Sequence, residues 1–326
     1  MDWSTLTVLV TGGTGSFGQK FTEVVLKDYR PKKLIIFSRD ELKQSEMAEC
    51  VRDPAVAFML GDVRDKDRLL RAFEGVEVVV HAAALKHVLT REFDASEAVR
   101  TNVLGSQNVI DAAIDGGVQK ALLISTDKAA YPVSLYGASK LCAERIFVSS
   151  NAFTRDGRTR LACARYGNVM GSRGSVAPLF LRQRPLGTLT ITDPTMTRFM
   201  MTLEQGVRFV IRCIEVMQGG EVFVPKVPSM RITDLAKAIA PEARLKTIGR
   251  RVGEKIHEVL LTDDEIPRTR LVNDEFFIVA PDANGYSQGP WVQGKPLPNG
   301  YAYTSDRGVR WLSVEDLRRM VEADEA

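Results

Sequence analysis

Apolar residues in the first half of the chain occur in short continuous runs separated by longer amphipathic stretches. Strands are predicted at 7–11, 33–38, 55–60, 76–82, 121–125 and 160–166. Helices are predicted at 15–29, 65–73, 96–116 and 134–152. Strands that are apolar throughout are typical of a parallel sheet with helices on both faces. The regular alternation of strand and helix therefore predicts an α/β fold with a doubly wound parallel sheet.

The pattern becomes irregular after about residue 170, where Gly, Pro and Arg interrupt the apolar runs. Helices are still indicated at 201–217 and 232–240. We expect a large first domain at 1–170 and a smaller lobe at 171–326 that closes over a ligand. Some segments of this lobe are expected to return to the first domain.

Local signals predict how three segments of the second half begin or end. Thr233 or Asp234 is the expected N-cap of the helix at 232–240. Ser313 with Asp316 forms the pattern of a capping box, which predicts a closing helix. Residues 281–300 are rich in Gly, Pro, Asn and Gln and are predicted to form a surface loop.

The composition of the 326 residues, 44% hydrophobic and 26% charged, is that of a globular protein. A net charge of +3 spread along the chain does not favour nucleic-acid binding. The longest apolar runs stay below about 18 residues, so no membrane span is expected. Four cysteines without ligand spacing predict reduced thiols and no metal site. With no signal-peptide pattern at the start, we expect a cytoplasmic protein.

A glycine-rich turn directly after the first predicted strand is the first indication of a ligand. Gly12, Gly15 and Gly18 follow the spacing Gly-x-x-Gly-x-x-Gly where a helix begins. Glycines at this spacing permit a tight turn, a close approach of backbone to a pyrophosphate and close helix–strand packing. We therefore predict a dinucleotide site. The other predicted contacts in this turn are Thr14, Ser16 and Phe17.

The tip of the second strand bears on the choice between NAD and NADP. Ser38 and Arg39 stand there, and a guanidinium suits the 2′-phosphate of NADP. Alternatively, Arg39 is a solvated charge and Asp40 or Glu41 contacts the ribose. We favour NADP. Further predicted cofactor contacts are Lys43, Asp62, Val63, Ala82, Ala84 and Lys86, and the neighbouring His87 is either a packed or a functional histidine.

Tyr136 and Lys140 are four residues apart and therefore share one face of a predicted helix. A tyrosine with its ordinary pKa of about 10 is a poor base at neutral pH. The Lys140 cation and a positive nicotinamide are expected to lower this pKa. Tyr136 is then able to take a hydroxyl proton while hydride leaves the same carbon, and Thr126 holds the same oxygen.

Asp127 and Lys128 add proton-transfer groups that oxidation alone does not need. Once a carbonyl forms, the neighbouring C–H becomes acidic, and a lysine kept neutral by nearby cations accepts its proton. A carboxyl group then protonates a leaving hydroxyl. Oxidation, elimination of water and return of hydride amount to the 4,6-dehydration of a hexose. The structural alternative is a capped turn with a surface lysine.

The sequence resembles the inverting UDP-N-acetylglucosamine 4,6-dehydratases of pseudaminic acid biosynthesis, which are extended short-chain dehydrogenase/reductases, over nearly its whole length. The segments that carry the resemblance are 11–18, 38–47, 81–87, 125–140, 165–169, 196–199 and 253–255. The resemblance implies a Rossmann-type fold, tightly held NADP, UDP-N-acetylglucosamine as substrate and a homo-oligomer. It also implies oxidation at C4, proton removal at C5, loss of the C6 hydroxyl, hydride delivery to C6 and inversion at C5.

The family's functional residues fall on matching positions of this chain. By resemblance, Lys128 is the C5 base, Asp127 assists the proton transfers, and Tyr136 with Lys140 drives C4 oxidation. Lys86 is expected to contact both cofactor and substrate. The remaining expected contacts to sugar and diphosphate are Asn168, Arg198, Arg251 and Glu254.

Three alternatives stay open at this point. A UDP-sugar 4-epimerase would use Tyr136 and Lys140 and leave the Asp127–Lys128 pair without a role. A 4,6-dehydratase for another nucleotide-activated N-acetylhexosamine is also compatible with the chain. A non-catalytic NADP-binding regulator is disfavoured by the intact tyrosine and lysine. The positions that depart from the family pattern, and so bear on substrate choice, are Tyr131, Ser134 and Val252.

Overall fold

The computed structural model describes residues 1–86, 94–154, 157–172, 174–281, 294–308 and 310–325; His87 lies outside these ranges. The strands are β1 Thr7–Thr11, β2 Lys33–Ser38, β3 Val56–Leu60, β4 Val78–His81, β5 Lys120–Thr126, β6 Arg160–Tyr166, β7 Asn168–Val169, β8 Thr188–Ile191, β9 Thr197–Met201, β10 Val222–Pro225, β11 Ser229–Arg231, β12 Arg244–Thr247, β13 Val259–Leu261, β14 Thr269–Val272, β15 Phe276–Val279, β16 Lys295–Pro296 and β17 Tyr303–Thr304. The helices are α1 Ser16–Val24, α2 Glu41–Cys50, α3 Lys66–Ala72, α4 Ala95–Val99, α5 Gly105–Asp115, α6 Leu135–Ser149, α7 Val176–Gln183, α8 Leu203–Val216, α9 Ile232–Ile239 and α10 Val314–Glu325.

The large sheet has the strand order β16-β14-β15-β10-β6-β5-β4-β1-β2-β3. Strands from β3 through β10 run parallel, and β15, β14 and β16 add an antiparallel edge. Every residue of β1 and β4 is buried, as expected for strands covered on both faces. This arrangement confirms the predicted Rossmann-type α/β fold. The direction of winding reverses between β1 and β4, which places a crevice at their carboxyl ends.

Segments from the second half of the chain contribute to two cores. Strands β10, β14, β15 and β16 extend the large sheet. A separate apolar cluster forms around Phe180, Leu235 and Leu317. The division at residue 170 stays a prediction. No helix within the described ranges has both the length and the apolar character needed to cross a bilayer.

Most predicted helices are found, but their ends differ from the predictions. The helix predicted at 96–116 is interrupted by a π-helical turn at Arg100–Leu104, between α4 and α5. The expectation that Thr233 or Asp234 caps α9 is wrong, because the helix already begins at Ile232 after Arg231. Arg231 provides no side-chain cap.

Other local signals gave mixed results. The capping box before α10 is confirmed, because Ser313 Oγ accepts from the Asp316 N–H and Asp316 Oδ2 accepts from the Ser313 N–H, both at 3.1 Å. Helix α2 was not predicted, because its polar sequence lacks an apolar face; Asp40 caps it. Within the predicted loop at 281–300, residues 282–293 lie outside the described ranges, and Lys295–Pro296 pairs with β14.

A buried ion triad joins α6 to the second half of the chain beneath the sheet's carboxyl edge. Arg165 on β6 bonds Glu144 of α6 at 2.6 Å and Glu265, beyond β13, at 2.8 Å. The Arg165 side chain is only 2% exposed. Although burial acts to raise the pKa of Glu265, Arg165 lowers it to about 2, so this carboxylate is ionised. The triad therefore attaches the C-terminal half of α6 to β6 and to the segment after β13 through charges that are buried from water.

Substitution of Arg165 by Met should lower the free energy of unfolding by about 3–5 kcal/mol, because two buried carboxylates lose their cation. Urea denaturation followed by circular dichroism measures this change. Arg208→Met is a matched control, since Arg208 pairs with two acidic residues at the surface. Equal effects of the two substitutions would contradict the role assigned to the triad.

Candidate active site

A cleft of about 640 Å³ opens at the carboxyl ends of the parallel strands, where the winding reverses. Sequence-predicted residues that line it are Gly12, Thr14, Gly15, Ser16, Phe17, Ser38, Arg39, Asp40, Lys43, Asp62, Val63, Ala82, Ala84, Lys86, Thr126, Lys128, Tyr136, Lys140 and Asn168. The structure therefore brings most of the residues predicted for cofactor and catalysis into one cleft; the exceptions are Gly18, Glu41 and Asp127.

The glycine-rich turn is shaped by two close backbone contacts. Gly12 has φ = +67°, and a Cβ on it would lie 2.8 Å from Ala83 Cα. Gly18 does not line the cleft: a Cβ there would lie 2.2 Å from the Gly13 carbonyl oxygen, so this glycine lets α1 pack against the turn. The turn thus presents bare backbone next to the first residues of α1. This geometry suits a pyrophosphate.

The tip of β2 lies at the rim of the same cleft. Ser38 Oγ is 2.8 Å from Thr14 Oγ1, which fixes the tip against the glycine-rich turn. Arg39 Nη1 lies 3.7 Å from Asp62 Oδ2, and about half of the Arg39 side chain is exposed. Asp40 accepts from the Lys43 N–H and caps α2. Glu41, in the first turn of α2, is exposed and does not line the cleft.

Asn102 holds the loop that follows β4, and the sequence analysis missed it. Its Oδ1 accepts from the Leu85 N–H at 2.8 Å, and its Nδ2 donates to the Leu85 carbonyl and to Ser139 Oγ, both at 3.0 Å. Ser139 Oγ in turn donates to the Tyr136 carbonyl. Asn102 therefore sets the distance between the loop that carries Lys86 and the helix that carries the tyrosine.

Gly137 brings α6, the helix that carries Tyr136 and Lys140, against the end of β5. A Cβ on Gly137 would lie 2.2 Å from the Lys128 carbonyl oxygen, so only glycine permits this contact. Ser134 caps α6 by accepting from the Gly137 N–H at 3.2 Å. The strand ends at Thr126, and Asp127–Ala129 forms a 3₁₀ turn. The two halves of the predicted catalytic block, 126–128 and 136–140, are consequently adjacent in space.

Asp127 and Lys128 form a hydrogen-bonded pair. Lys128 Nζ and Thr126 Oγ1 each donate to Asp127 Oδ1 at 2.9 Å. Asp127 is fully buried, and its Oδ2 has no hydrogen-bond partner among the described residues. The Lys128 side chain is 32% exposed and reaches the cleft. Lys128 Nζ also lies 3.5 Å from Glu258 Oε1, a contact that sequence spacing did not indicate.

The surroundings of Lys128 correct the expectation that neighbouring cations keep it neutral. Burial acts to lower the pKa of Lys128, but Asp127 and Glu258 outweigh it and raise this pKa. Burial also raises the pKa of the Asp127 carboxyl, and Lys128 opposes that change. The two groups therefore share one proton, which lies on Lys128 as an ammonium while Asp127 is a carboxylate.

Burial also shifts the pKa values of Tyr136 and of its partner Lys140. Burial raises the pKa of Tyr136 to about 12, and the cation that lowers it is Lys128 rather than the expected Lys140. Burial lowers the pKa of Lys140 to about 8, with Glu144 acting in the opposite direction. Lys140 therefore loses its proton more readily than an exposed lysine does.

The predicted substrate contacts fall into two groups. Asn168 lines the cleft, and its buried Oδ1 has no partner among the described residues. Arg198, by contrast, is buried and donates to the carbonyls of Thr197, Lys255 and Ile256. Arg251 and Glu254 bond to each other, with the Arg251 N–H 3.2 Å from Glu254 Oε2. Neither lines the cleft, and their contact with substrate stays a prediction.

The positions that depart from the family pattern have local roles. Ser134 is the α6 cap described above. Tyr131 adopts a left-handed backbone conformation with φ = +47°, and its hydroxyl accepts from the Asp263 N–H at 3.0 Å. Val252 is 81% exposed. Tyr131 therefore connects the chain after the 3₁₀ turn at Asp127–Ala129 to the segment that follows β13.

Several buried polar atoms along the cleft have no hydrogen-bond partner in the described part of the chain: Thr101 Oγ1, Ser125 Oγ, Asn168 Oδ1 and Ser175 Oγ. Buried polar groups are normally bonded, so these atoms suit a polar ligand. No His, Cys, Asp and Glu group suited to a metal ion occurs among the described residues. Together with the glycine-rich turn, these atoms make the cleft suitable for a dinucleotide.

Comparison with known proteins agrees with this geometry. Residues 8–280 match a family described as "Polysaccharide biosynthesis protein". An inverting UDP-N-acetylglucosamine 4,6-dehydratase from Campylobacter jejuni is 45% identical over 98% of both chains. A UDP-glucose 4-epimerase from Rickettsia conorii is 43% identical over 97% of this chain and 95% of its own. The solved structure of Pen from Bacillus thuringiensis is similar with a TM-score of 0.90 and 36% identity, over 100% of this chain and 99% of that one.

The contact of Gly12 with Ala83 yields a prediction for cofactor binding. Gly12→Ala should raise the dissociation constant of the nicotinamide dinucleotide by on the order of tenfold or more, about 1.4 kcal/mol, because the new Cβ pushes the turn from its position. Protein fluorescence during titration with the dinucleotide measures this constant.

Gly117→Ala is the matched control, since Gly117 has φ = +69° and an added Cβ would meet no atom within 4 Å. Both substitutions carry a left-handed backbone cost of about 1–2 kcal/mol. Only Gly12→Ala should lose affinity, and unchanged binding by that variant would refute the assigned contact.

Proposed function

The chain belongs to the polysaccharide biosynthesis protein family, and we propose that it is an NADP-dependent, 5-inverting 4,6-dehydratase of UDP-N-acetylglucosamine. It is an enzyme of the hydro-lyase class, as the sequence predicted. The observation that carries the substrate and stereochemical proposal is the Asp127–Lys128 pair, hydrogen-bonded at 2.9 Å beside Tyr136 and Lys140. A simple oxidoreductase would have no use for that pair.

The cofactor is held in this proposal by the glycine-rich turn and the tips of β2 and β4. Backbone around Gly12 and Gly15 receives the pyrophosphate at the start of α1. Arg39 is half-exposed at the rim, and a guanidinium there suits a 2′-phosphate, which supports NADP over NAD. When bound, the cofactor accepts a hydride from C4 and returns it to C6.

Proton transfers in the proposed reaction are carried by the protein's own groups. Tyr136 would take the proton of the C4 hydroxyl as a phenolate, a form that the positive charge of a bound nicotinamide favours by lowering the Tyr136 pKa, as hydride leaves C4. Transfer of the shared proton from Lys128 to Asp127 then converts the ion pair into an amine and a carboxylic acid. The amine takes the C5 proton, and the acid protonates the C6 hydroxyl, which leaves as water. The ion pair is thereby restored without a proton from bulk solvent.

Hydride addition at C6 and addition of a solvent-derived proton at C5 would complete the product, a 6-deoxy-4-keto sugar nucleotide, while Tyr136 would release the C4 hydroxyl proton to solvent. Proton delivery to the opposite face of C5 gives the inverted centre. We further propose that this reaction begins a pseudaminic acid-type pathway and that the enzyme is a homo-oligomer, both on the resemblance of the sequence.

A UDP-sugar 4-epimerase is the second candidate, because relatives carry that name. Epimerisation requires hydride transfer at C4 and the tyrosine–lysine pair alone. The placement of Lys128 in the cleft, with Asp127 buried behind it, favours the dehydratase over the epimerase. A 4,6-dehydratase for another nucleotide-activated N-acetylhexosamine would use the same groups and differ only in sugar recognition.

Incubation with UDP-N-acetylglucosamine in deuterated water, followed by NMR, tests the proposed function. We expect a 6-deoxy-4-keto product with deuterium at an inverted C5, and stronger activation of cofactor-depleted enzyme by NADP than by NAD. UDP-N-acetylgalactosamine without deuterium would instead establish the epimerase. A deuterated product with retained C5 configuration would contradict inversion.

Lys128→Ala tests the proposed C5 base. Exchange of the C5 proton should fall by roughly 10²-fold or more, as expected for loss of a general base, while NADP binding is kept. NMR of the substrate pool measures exchange, and cofactor titration measures binding. Lys66→Ala is the control, because Lys66 pairs with Asp111 on the surface. Unchanged exchange in Lys128→Ala would remove Lys128 from the mechanism.

A further inference from the structure

A second carboxylate, Glu258, faces the catalytic pair from the other half of the chain. It directly precedes β13, and its side chain is 3% exposed. Its carboxylate lies 3.5 Å from Lys128 Nζ, 3.6 Å from Lys255 Nζ and 3.8 Å from Arg198 Nε. Burial acts to raise the pKa of Glu258, but these three cations lower it overall, so the group is ionised.

The position of Glu258 is fixed by bonds that do not involve its carboxylate. Its backbone N–H donates to Ser305 Oγ at 2.8 Å, and Ser305 Oγ lies 2.6 Å from Thr197 Oγ1. These contacts attach the residue to the start of β9 and to the chain after β17. The backbone of Glu258 is therefore held in place independently of Lys128, and its carboxylate also has Lys255 and Arg198 as partners.

Lys255 connects the same segment to the catalytic turn. Its Nζ donates to the Ala130 carbonyl at 2.5 Å and to the Asp127 carbonyl at 3.5 Å. Its side chain is only 11% exposed. The segment 255–258 thus makes two contacts with the turn at 127–130. Lys255 binds backbone carbonyls of the turn, and Glu258 contacts the side chain of Lys128.

We propose, building on the proposed function, that Glu258 is a positioning residue that holds the Lys128 side chain and keeps one proton on the Asp127–Lys128 pair. The charged and titratable groups around the pair are Glu258, Arg198, Lys255 and Tyr136. Glu258 is the anion among them. Its charge makes removal of a proton from either member of the pair less favourable.

The consequence for catalysis follows from the proton count of the pair. The reactive form of the pair carries one proton. At low pH this form is lost because Asp127 takes up a second proton. At high pH it is lost because Lys128 gives up its proton. These two steps belong to the pair as a whole. A nearby anion raises both pKa values, so its removal should move both limbs of the pH profile to lower pH.

Glu258→Gln keeps the size and hydrogen-bonding capacity of the side chain and removes its charge. The pH profile of kcat/KM for dehydration should shift downward by roughly one to three pH units. Glu258→Asp should restore most of the wild-type profile, since it restores the charge. NADP affinity should be unchanged, because Glu258 does not line the cofactor cleft.

Glu221→Gln is the matched control for loss of a buried carboxylate. Glu221 is fully buried, has one oxygen without a partner in the described part of the chain, and does not line the cleft. It should change stability and leave the pH profile unmoved. If Glu258→Gln behaves in the same way, with a lower stability and an unmoved profile, Glu258 is a structural residue and the inference is overturned.

Titration of the Asp127 carboxyl by carbon-13 NMR, assigned with Asp127→Asn, separates this inference from the proposed function. The measurement needs no substrate, and the pKa of Asp127 should fall in Glu258→Gln. A fall without turnover of UDP-N-acetylglucosamine by the wild type would support the positioning role and refute the substrate. Turnover of UDP-N-acetylglucosamine with an Asp127 pKa that is unchanged in Glu258→Gln would support the substrate and refute the positioning role. Should Glu258→Gln fail to fold, Glu258→Ala, which also removes the charge, provides the same readout.

Discussion

The contact between Gly137 and the Lys128 carbonyl is the constraint on which the candidate active site depends. A Cβ at this glycine would lie 2.2 Å from the oxygen, so the helix approaches the 3₁₀ turn as closely as backbone allows. Through this contact Tyr136 and Lys140 share the cleft with Thr126. A wider separation would leave the redox and the proton-transfer groups in different places.

Electrostatic balance is the second requirement, and it is met by residues from both halves of the chain. Burial alone would favour the neutral forms of Asp127 and Lys128. Their mutual hydrogen bond and the charge of Glu258 keep Lys128 protonated instead, while Arg198 and Lys255 compensate the second carboxylate. In the proposed mechanism the pair therefore carries one transferable proton, with Asp127 buried and Lys128 32% exposed at the cleft. This is a suitable starting point for an elimination that must protonate one oxygen and deprotonate one carbon.

Sequence reasoning located the parallel sheet, the glycine-rich turn and the tyrosine–lysine pair, because each depends on periodicity or spacing within a short segment. It missed Asn102 and Glu258, whose roles come from contacts with residues far away in the chain. The direction of the Lys128 shift was also wrong, since it depends on which charges the fold places nearby. Helix α2 escaped detection because its cap at Asp40, rather than an apolar face, marks where it begins.

The bonds from Lys255 to the carbonyls of Asp127 and Ala130 span more than a hundred positions of the chain. In evolutionary terms, a change in the backbone of the turn at 127–130 would have to be matched by a change in the segment 255–258. Recombination between residues 130 and 255 would combine the turn of one protein with the segment 255–258 of another. New substrate preferences on this scaffold would therefore arise through coordinated point changes on both sides of the cleft, rather than through exchange of whole halves among relatives.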